Sequence, residues 1–210
     1  LCRTLGCKGY NEFKMALALD IQQGQPARQA GDEIDSVVDE SVQALQDTAR
    51  LLDSALLEKA ALALHQAQSV QIYGVAASAI LGEYLHYKLL RLGKSAQLFS
   101  DMHRAAMNAT TLSAETLVVA ISSSGSTRDL LHVVKLARKR GVKVLALSNT
   151  PRSPLASLSD MLLVAAKPEG PLSAGALNAK VGVMLLVELL TTSMIALDGH
   201  YADVSQQTAS

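Results

Sequence analysis

Leu117-Val118-Val119-Ala120-Ile121-Ser122-Ser123-Ser124-Gly125-Ser126-Thr127-Arg128-Asp129-Leu130-Leu131 is the stretch on which the fold turns. Its five leading aliphatic residues carry no charge, which is the pattern of a strand buried on both faces. A polar turn follows without a spacer, and a helical pattern opens at once at Arg128. Working outward, similar short apolar runs recur at 70–73, 96–99, 142–147 and 161–164. Helical patterns fall between them at 77–92, 102–111, 127–140 and 153–158, and a long one closes the chain at 176–197. Continuous apolar strands alternating with helices predict a parallel sheet covered on both sides. The expected fold is a three-layer α/β/α sandwich with a five-stranded parallel sheet. In such sheets ligands bind beyond the carboxyl ends of the strands.

Upstream of the first strand, Ile34, Val37, Val38, Val42 and Leu45 have helical spacing, and a second helical run covers 56–66. Eight acidic residues lie between Asp32 and Glu58, against Arg28, Arg50 and Lys59 nearby. Such a run reads as a solvated helix face. Gln22-Gln23-Gly24-Gln25-Pro26-Ala27-Arg28-Gln29-Ala30-Gly31 is poor in apolar residues, as linkers are. The organisation expected is therefore a short piece at 1–23, a linker at 24–33 and the main domain at 34–210.

Composition excludes several classes. The 210 residues are 49% hydrophobic with 19 basic and 19 acidic side chains, so neither disorder nor a basic nucleic-acid coat fits. Cys2 and Cys7 both precede the domain, leaving it without a disulfide framework. Aromatic residues make up 3%, too few for stacking platforms along a single nucleic-acid strand. No apolar run is expected to reach the roughly 18 residues of a membrane span, and no leader opens the chain. A cytoplasmic protein is the expectation.

Two strand ends carry candidate chemistry. Ser122, Ser123, Ser124, Ser126 and Thr127 place five hydroxyls beside Gly125 in a strand-to-helix turn. Hydroxyls donate to phosphate oxygens, glycine permits close approach, and a helix N-terminus offers unpaired N–H groups. Helix capping explains one such hydroxyl but not five. After the first strand, Gly74-Val75-Ala76-Ala77-Ser78 delivers one hydroxyl, which capping would explain equally well. Neither turn has the glycine spacing of a dinucleotide fingerprint or the ending of a P-loop. No nucleotide or other cofactor is expected, and no residue cluster has metal-ligand spacing.

Together these two turns resemble the sugar isomerase (SIS) domain, a parallel α/β/α fold that binds phosphorylated sugars. The Ser-x-Ser-Gly-x-Thr loop is matched in full, while Ala76 stands where the family usually has glycine. The resemblance implies that Ser78, Ser122, Ser124 and Thr127 hold the phosphate with support from Ser123. It also implies that the region around Lys167-Pro168-Glu169-Gly170-Pro171-Leu172-Ser173 closes over the sugar, making Ser173 and Glu169 candidates for hydroxyl contacts. A Pro/Gly turn with a capping serine is the competing account there.

Arg3-Thr4-Leu5-Gly6-Cys7-Lys8-Gly9-Tyr10-Asn11-Glu12-Phe13-Lys14 resembles the end of the helix-turn-helix domain of RpiR-type bacterial transcriptional regulators. That likeness implies that 1–23 is a remnant of a DNA-binding domain in which Arg3 and Lys8 contact DNA phosphates. The implied whole is an effector-binding domain that senses a phosphosugar, controls DNA binding and forms a homodimer. The alternative is an aldose–ketose isomerase, which needs a base near the sugar. His103 is the best placed, with Glu83, His86 and Glu188 behind it. Each has a plainer use, and no catalytic residue is assigned.

Overall fold

The computed structural model describes residues 30–166 and 177–208, together with residues 6, 8, 9, 12, 13 and 16. Two helices come first, α1 (Ala30–Leu51) and α2 (Ser54–Gln66). The alternating part then runs β1 (Ser69–Gly74), α3 (Ala77–Arg91), β2 (Ala96–Phe99), α4 (Met102–Ala109), β3 (Thr116–Ile121), α5 (Arg128–Lys139), β4 (Lys143–Ser148), α6 (Pro154–Leu158) and β5 (Met161–Val164). Two helices end the described chain, α7 (Asn178–Leu197) and α8 (His200–Gln207). The five strands form one sheet in the order β2-β1-β3-β4-β5, and every neighbouring pair is parallel. The expected sandwich is the fold observed.

Strand alternation divides the interior into two cores. Ile72, Leu117, Val119, Ile121, Leu145 and Leu147 point to one face, where Leu64 of α2, Leu81 and Leu85 of α3 and Leu186 and Leu190 of α7 meet them. Val118, Ala120, Val144 and Ala146 point to the other, against Ala105 of α4, Leu130 and Val134 of α5 and Leu155 of α6. All six residues of β3 are buried, which is why its sequence lacks the polar alternation of a half-exposed strand. Each large aliphatic side chain taken out of water contributes about 1.5–3 kcal/mol, so the sheet core dominates stability.

Three expectations need correction. The apolar spacing of the first helix does not face the core: Ile34 is 67% exposed, with Val37, Val38 and Val42 also open. Instead Ala44 and Thr48 are the buried positions of α1. Second, α7 is long and apolar enough to cross a membrane, contrary to the expectation that no such segment exists. Its apolar residues are used inside the fold, where Val183, Leu186, Val187, Leu190 and Met194 are buried. Third, the sequence pattern did not suggest α8. It has one buried residue, Tyr201, whose ring meets His65 edge-on while its hydroxyl lies 3.0 Å from His65 Nδ1. Arg91 of α3 holds the end of α8 by donating to the Ser205 carbonyl at 2.8 Å.

α1 is joined to the sheet by one buried hydroxyl. Thr48 Oγ1 donates to the Ala44 carbonyl at 2.7 Å and accepts from Ala166 N, just past β5, at 3.0 Å. The close approach of α7 at this point requires a residue without a side chain. A Cβ on Gly182 would lie 2.6 Å from Thr48 Oγ1 and 3.1 Å from Ala165 Cβ. Gly182→Ala is therefore expected to lose about 1–3 kcal/mol through overpacking. Differential scanning calorimetry should record this as a lower melting temperature, and an unchanged value would contradict the packing described.

Candidate functional site

The parallel order places the carboxyl ends of β1, β3 and β4 side by side. β1 pairs with β3 in a register that sets Gly74 opposite Ile121, so the turns that follow start level with each other. From β1 the chain crosses by α3 to β2, and from β3 it crosses by α5 to β4 on the other side. The gap between β1 and β3 is thus the switch point at which open α/β sheets bind ligands.

The turn after β1 is built on an unusual backbone. Ser78 N donates to the Val75 carbonyl at 3.0 Å, closing a four-residue turn. Its second residue, Ala76, has φ 51° and ψ −126°, close to the first central position of a type II′ turn. That position favours glycine, and a residue with a Cβ pays about 1–3 kcal/mol there. The half-buried Ser78 hydroxyl has no partner among the described residues.

The loop after β3 is braced from within. Ser122 is 4% exposed; its Oγ accepts from Gly125 N at 3.1 Å and lies 3.4 Å from Thr127 Oγ1. Gly125 adopts φ +60°, and a Cβ there would come within 2.2 Å of Ser153 Oγ. Glycine is needed on both counts. Ser124 is exposed and its Oγ accepts from Ser126 N at 3.3 Å. Thr127 is the N-cap of α5, yet its side chain makes no capping bond. The Ser123 hydroxyl also lacks a partner among the described residues, whereas its carbonyl is heavily used by the end of β4. Thr127 thus stands at the N-terminus of α5, whose dipole favours an anion.

Sequence reasoning missed the contribution of β4. Ser148, Asn149 and Thr150 follow an apolar strand directly, as the serines of β3 do, and that repeated pattern was the available signal. Asn149 is buried; its Nδ2 donates to the Ala166 carbonyl at 2.8 Å, and its Oδ1 has no partner among the described residues.

The remaining candidates are dispersed. Ser173, Glu169 and Arg3 lie outside the described residues. Lys8 is exposed, and its backbone N–H donates to Glu12. His103 follows the N-cap Asp101, whose carboxylate accepts from His103 N and Arg104 N at 2.8 and 3.2 Å. Those backbone hydrogen bonds hold Asp101 below the usual carboxylate range. His103 also lines a groove of about 350 Å³ with Met102, Ala106, Asp129 and His132. His86 is committed elsewhere, with Nε2 at 3.1 Å from the carbonyl of Ala96, at the amino end of β2. Among the described residues no group of three or more His, Cys, Asp or Glu could hold a metal.

Glu188, the carboxylate on the apolar α7, turns out to be satisfied by α3. The Tyr84 hydroxyl donates to Oε1, and Lys88 Nζ lies 2.9 Å from Oε2. The Tyr84 hydrogen bond, helped by Lys88 and opposed by desolvation, holds the Glu188 carboxyl below its ordinary range. The same contact pushes the Tyr84 phenol up to about 12.

The SIS domain profile matches residues 63–193, more than half of the chain. The chain belongs to the SIS domain family. Its relatives include HTH-type transcriptional regulators, RpiR among them. It is 28% identical over 207 residues to the HTH-type transcriptional regulator YbbH of Bacillus subtilis, covering 93% of this chain and 72% of that protein. It is 25% identical over 213 residues to RpiR of Escherichia coli K12, covering 98% and 72% respectively. The structure of the Vibrio vulnificus NanR protein complexed with ManNAc-6P superimposes with a TM-score of 0.85 at 46% identity, covering 100% of this chain and 77% of that one.

Two outcomes are expected from this geometry. Ala76→Gly relieves the positive-φ strain but adds unfolded-state entropy of about 0.5–1 kcal/mol, for a net gain of about 1 kcal/mol. Thermal unfolding should show a rise of about 2–4 °C, and a fall would show that Ala76 is not strained. Glu188→Gln should lower the melting temperature at pH 7. Because the folded carboxyl titrates below its unfolded value, its contribution is present above about pH 4.3 and is lost as pH falls through the folded pKa. The two melting curves should therefore converge in acid, and a gap independent of pH would remove the carboxylate from the account.

Proposed function

We propose that this chain is the effector-sensing part of an RpiR-type transcriptional regulator and that its effector is a phosphorylated sugar. The observation that carries the reading is the pair of turns at the β1/β3 switch point. They start level at neighbouring strand ends and carry the hydroxyls of Ser78 and Ser123, which have no partner among the described residues, while the Thr127 cap of α5 makes no side-chain bond to the helix amides. Ser124 and Thr127 complete the phosphate cradle, Ser122 braces it, and Ser173 reaches the sugar. The 46% identity to NanR, complexed with ManNAc-6P, makes that phosphosugar the ligand to test first. The regulator acts in the cytoplasm as a homodimer, with the exposed Ile34, Val37, Val38 and Val42 of α1 offering apolar surface to a second copy. Arg3 and Lys8 belong to a helix-turn-helix module that contacts DNA phosphates. Control requires that the effector bind the DNA-competent and incompetent states with unequal affinity.

An isomerase is the second reading, favoured by one observation: His103, Asp129 and His132 share a groove near the same edge of the sheet. The sensor reading predicts a ligand recovered chemically unchanged.

The test is a thermal-shift and calorimetric titration with ManNAc-6P, with Ser124→Ala in parallel. At 100 times its dissociation constant a ligand stabilises the fold by about 2.7 kcal/mol. At this size that corresponds to a rise of about 5–10 °C. Ser124→Ala should lose about tenfold in affinity, and the sugar recovered after long incubation should be unaltered. Absence of a shift with every phosphosugar tried would reject the sensor, while conversion to a ketose or aldose isomer would replace it with the enzyme.

A further inference from the structure

The end of β4 shapes the loop after β3 through a single carbonyl. The Ser123 oxygen accepts from Thr150 Oγ1 at 3.1 Å, from Asn149 N at 3.3 Å and from Ser148 Oγ at 3.4 Å. Ser148 is fully buried, and its hydroxyl also accepts from the main-chain N–H of Thr150 at 3.1 Å, which ties the Ser148 side chain to the Thr150 backbone. The Asn149 side chain takes no part, because it is turned to the carbonyls of Ala165 and Ala166.

A trans peptide carries its C=O and N–H on opposite sides, and no cis peptide bond is found here. With the Ser123 carbonyl drawn toward β4, the N–H of Ser124 must point away from β4. That amide has no acceptor among the described residues. The two amides that follow are already taken, Gly125 N by Ser122 and Ser126 N by Ser124 Oγ. Rotating the peptide by half a turn would remove this donor and present a carbonyl oxygen to an anion instead. The two orientations of a trans peptide here are electrostatically opposite, and the donors at the end of β4 bond the one observed.

We propose that Ser148 and Thr150 are positioning residues whose hydroxyls fix the Ser123–Ser124 peptide so that the Ser124 amide donates to the phosphate of the bound sugar. This rests on the phosphosugar reading given above and adds to it two residues outside the serine loop. The main-chain donor of Asn149 survives any substitution, so removing one hydroxyl weakens the clamp and removing both weakens it further.

The experiment compares the parent chain with Thr150→Val, Ser148→Ala and the double variant, with Thr150→Ser as the conservative control. Calorimetry with ManNAc-6P gives affinities, and the ¹H–¹⁵N resonance of Ser124 reports the amide directly. In the parent, ManNAc-6P should move the Ser124 amide proton downfield. The double variant should bind about tenfold more weakly, about 1.4 kcal/mol, and lose most of that shift. Thr150→Val should lose about threefold, and Thr150→Ser should stay within twofold of the parent. If the double variant fails to fold, Thr150→Val decides by the same two readouts. Parent affinity in these variants, or a Ser124 amide that does not respond while ManNAc-6P binds, overturns the positioning role alone. A parent chain that binds no phosphosugar overturns the sensor reading and this inference together.

Discussion

The burial of β3 between β1 and β4 is the constraint on which the rest of the structure depends. All six of its residues are removed from solvent, and its neighbours on both sides are parallel to it. Parallel pairing sends all the strand ends the same way, so three polar turns emerge together from an aliphatic interior. Helices on both faces then exclude water up to the edge of the sheet. Polar groups at that edge must either satisfy one another or stay open to solvent and ligand.

The edge divides its polar groups between these two uses. Ser122 Oγ, the Ser123 carbonyl and Ser148 Oγ bond inward and hold the loop. The hydroxyls of Ser78 and Ser123 have no inward partner among the described residues. A loop made only of the second kind would collapse onto itself, and one made only of the first kind would offer nothing to an anion. The alternation of bracing and open groups over six residues accounts for a serine density that capping alone would not require.

The sheet and its helices were legible because their determinants are local. A charge-free aliphatic run such as 117–121 has no stable place but a doubly covered strand, and Gly125 marks a turn wherever it is read. The serine loop was legible for the same reason. What escaped depends on partners distant in sequence. The exposed side of α1 has the spacing of a buried one, and only its contact with α7 through Thr48 shows which face is inside. α8 has too few apolar residues to show as a helix and is held by His65 and Arg91, over a hundred positions away. Glu188 looked unsatisfied in its apolar setting because Tyr84 and Lys88 lie on another helix. The part played by Ser148 and Thr150 follows from a carbonyl, which no side-chain pattern encodes.

α1 is tied down at two points among the described residues, at Thr48 to the exit of β5 and at Glu40, which accepts from Asn178 Nδ2 of α7 at 2.9 Å. Because Asn178 at the start of α7 also holds Glu40, a shift at the exit of β5 reaches α1 and α7 together.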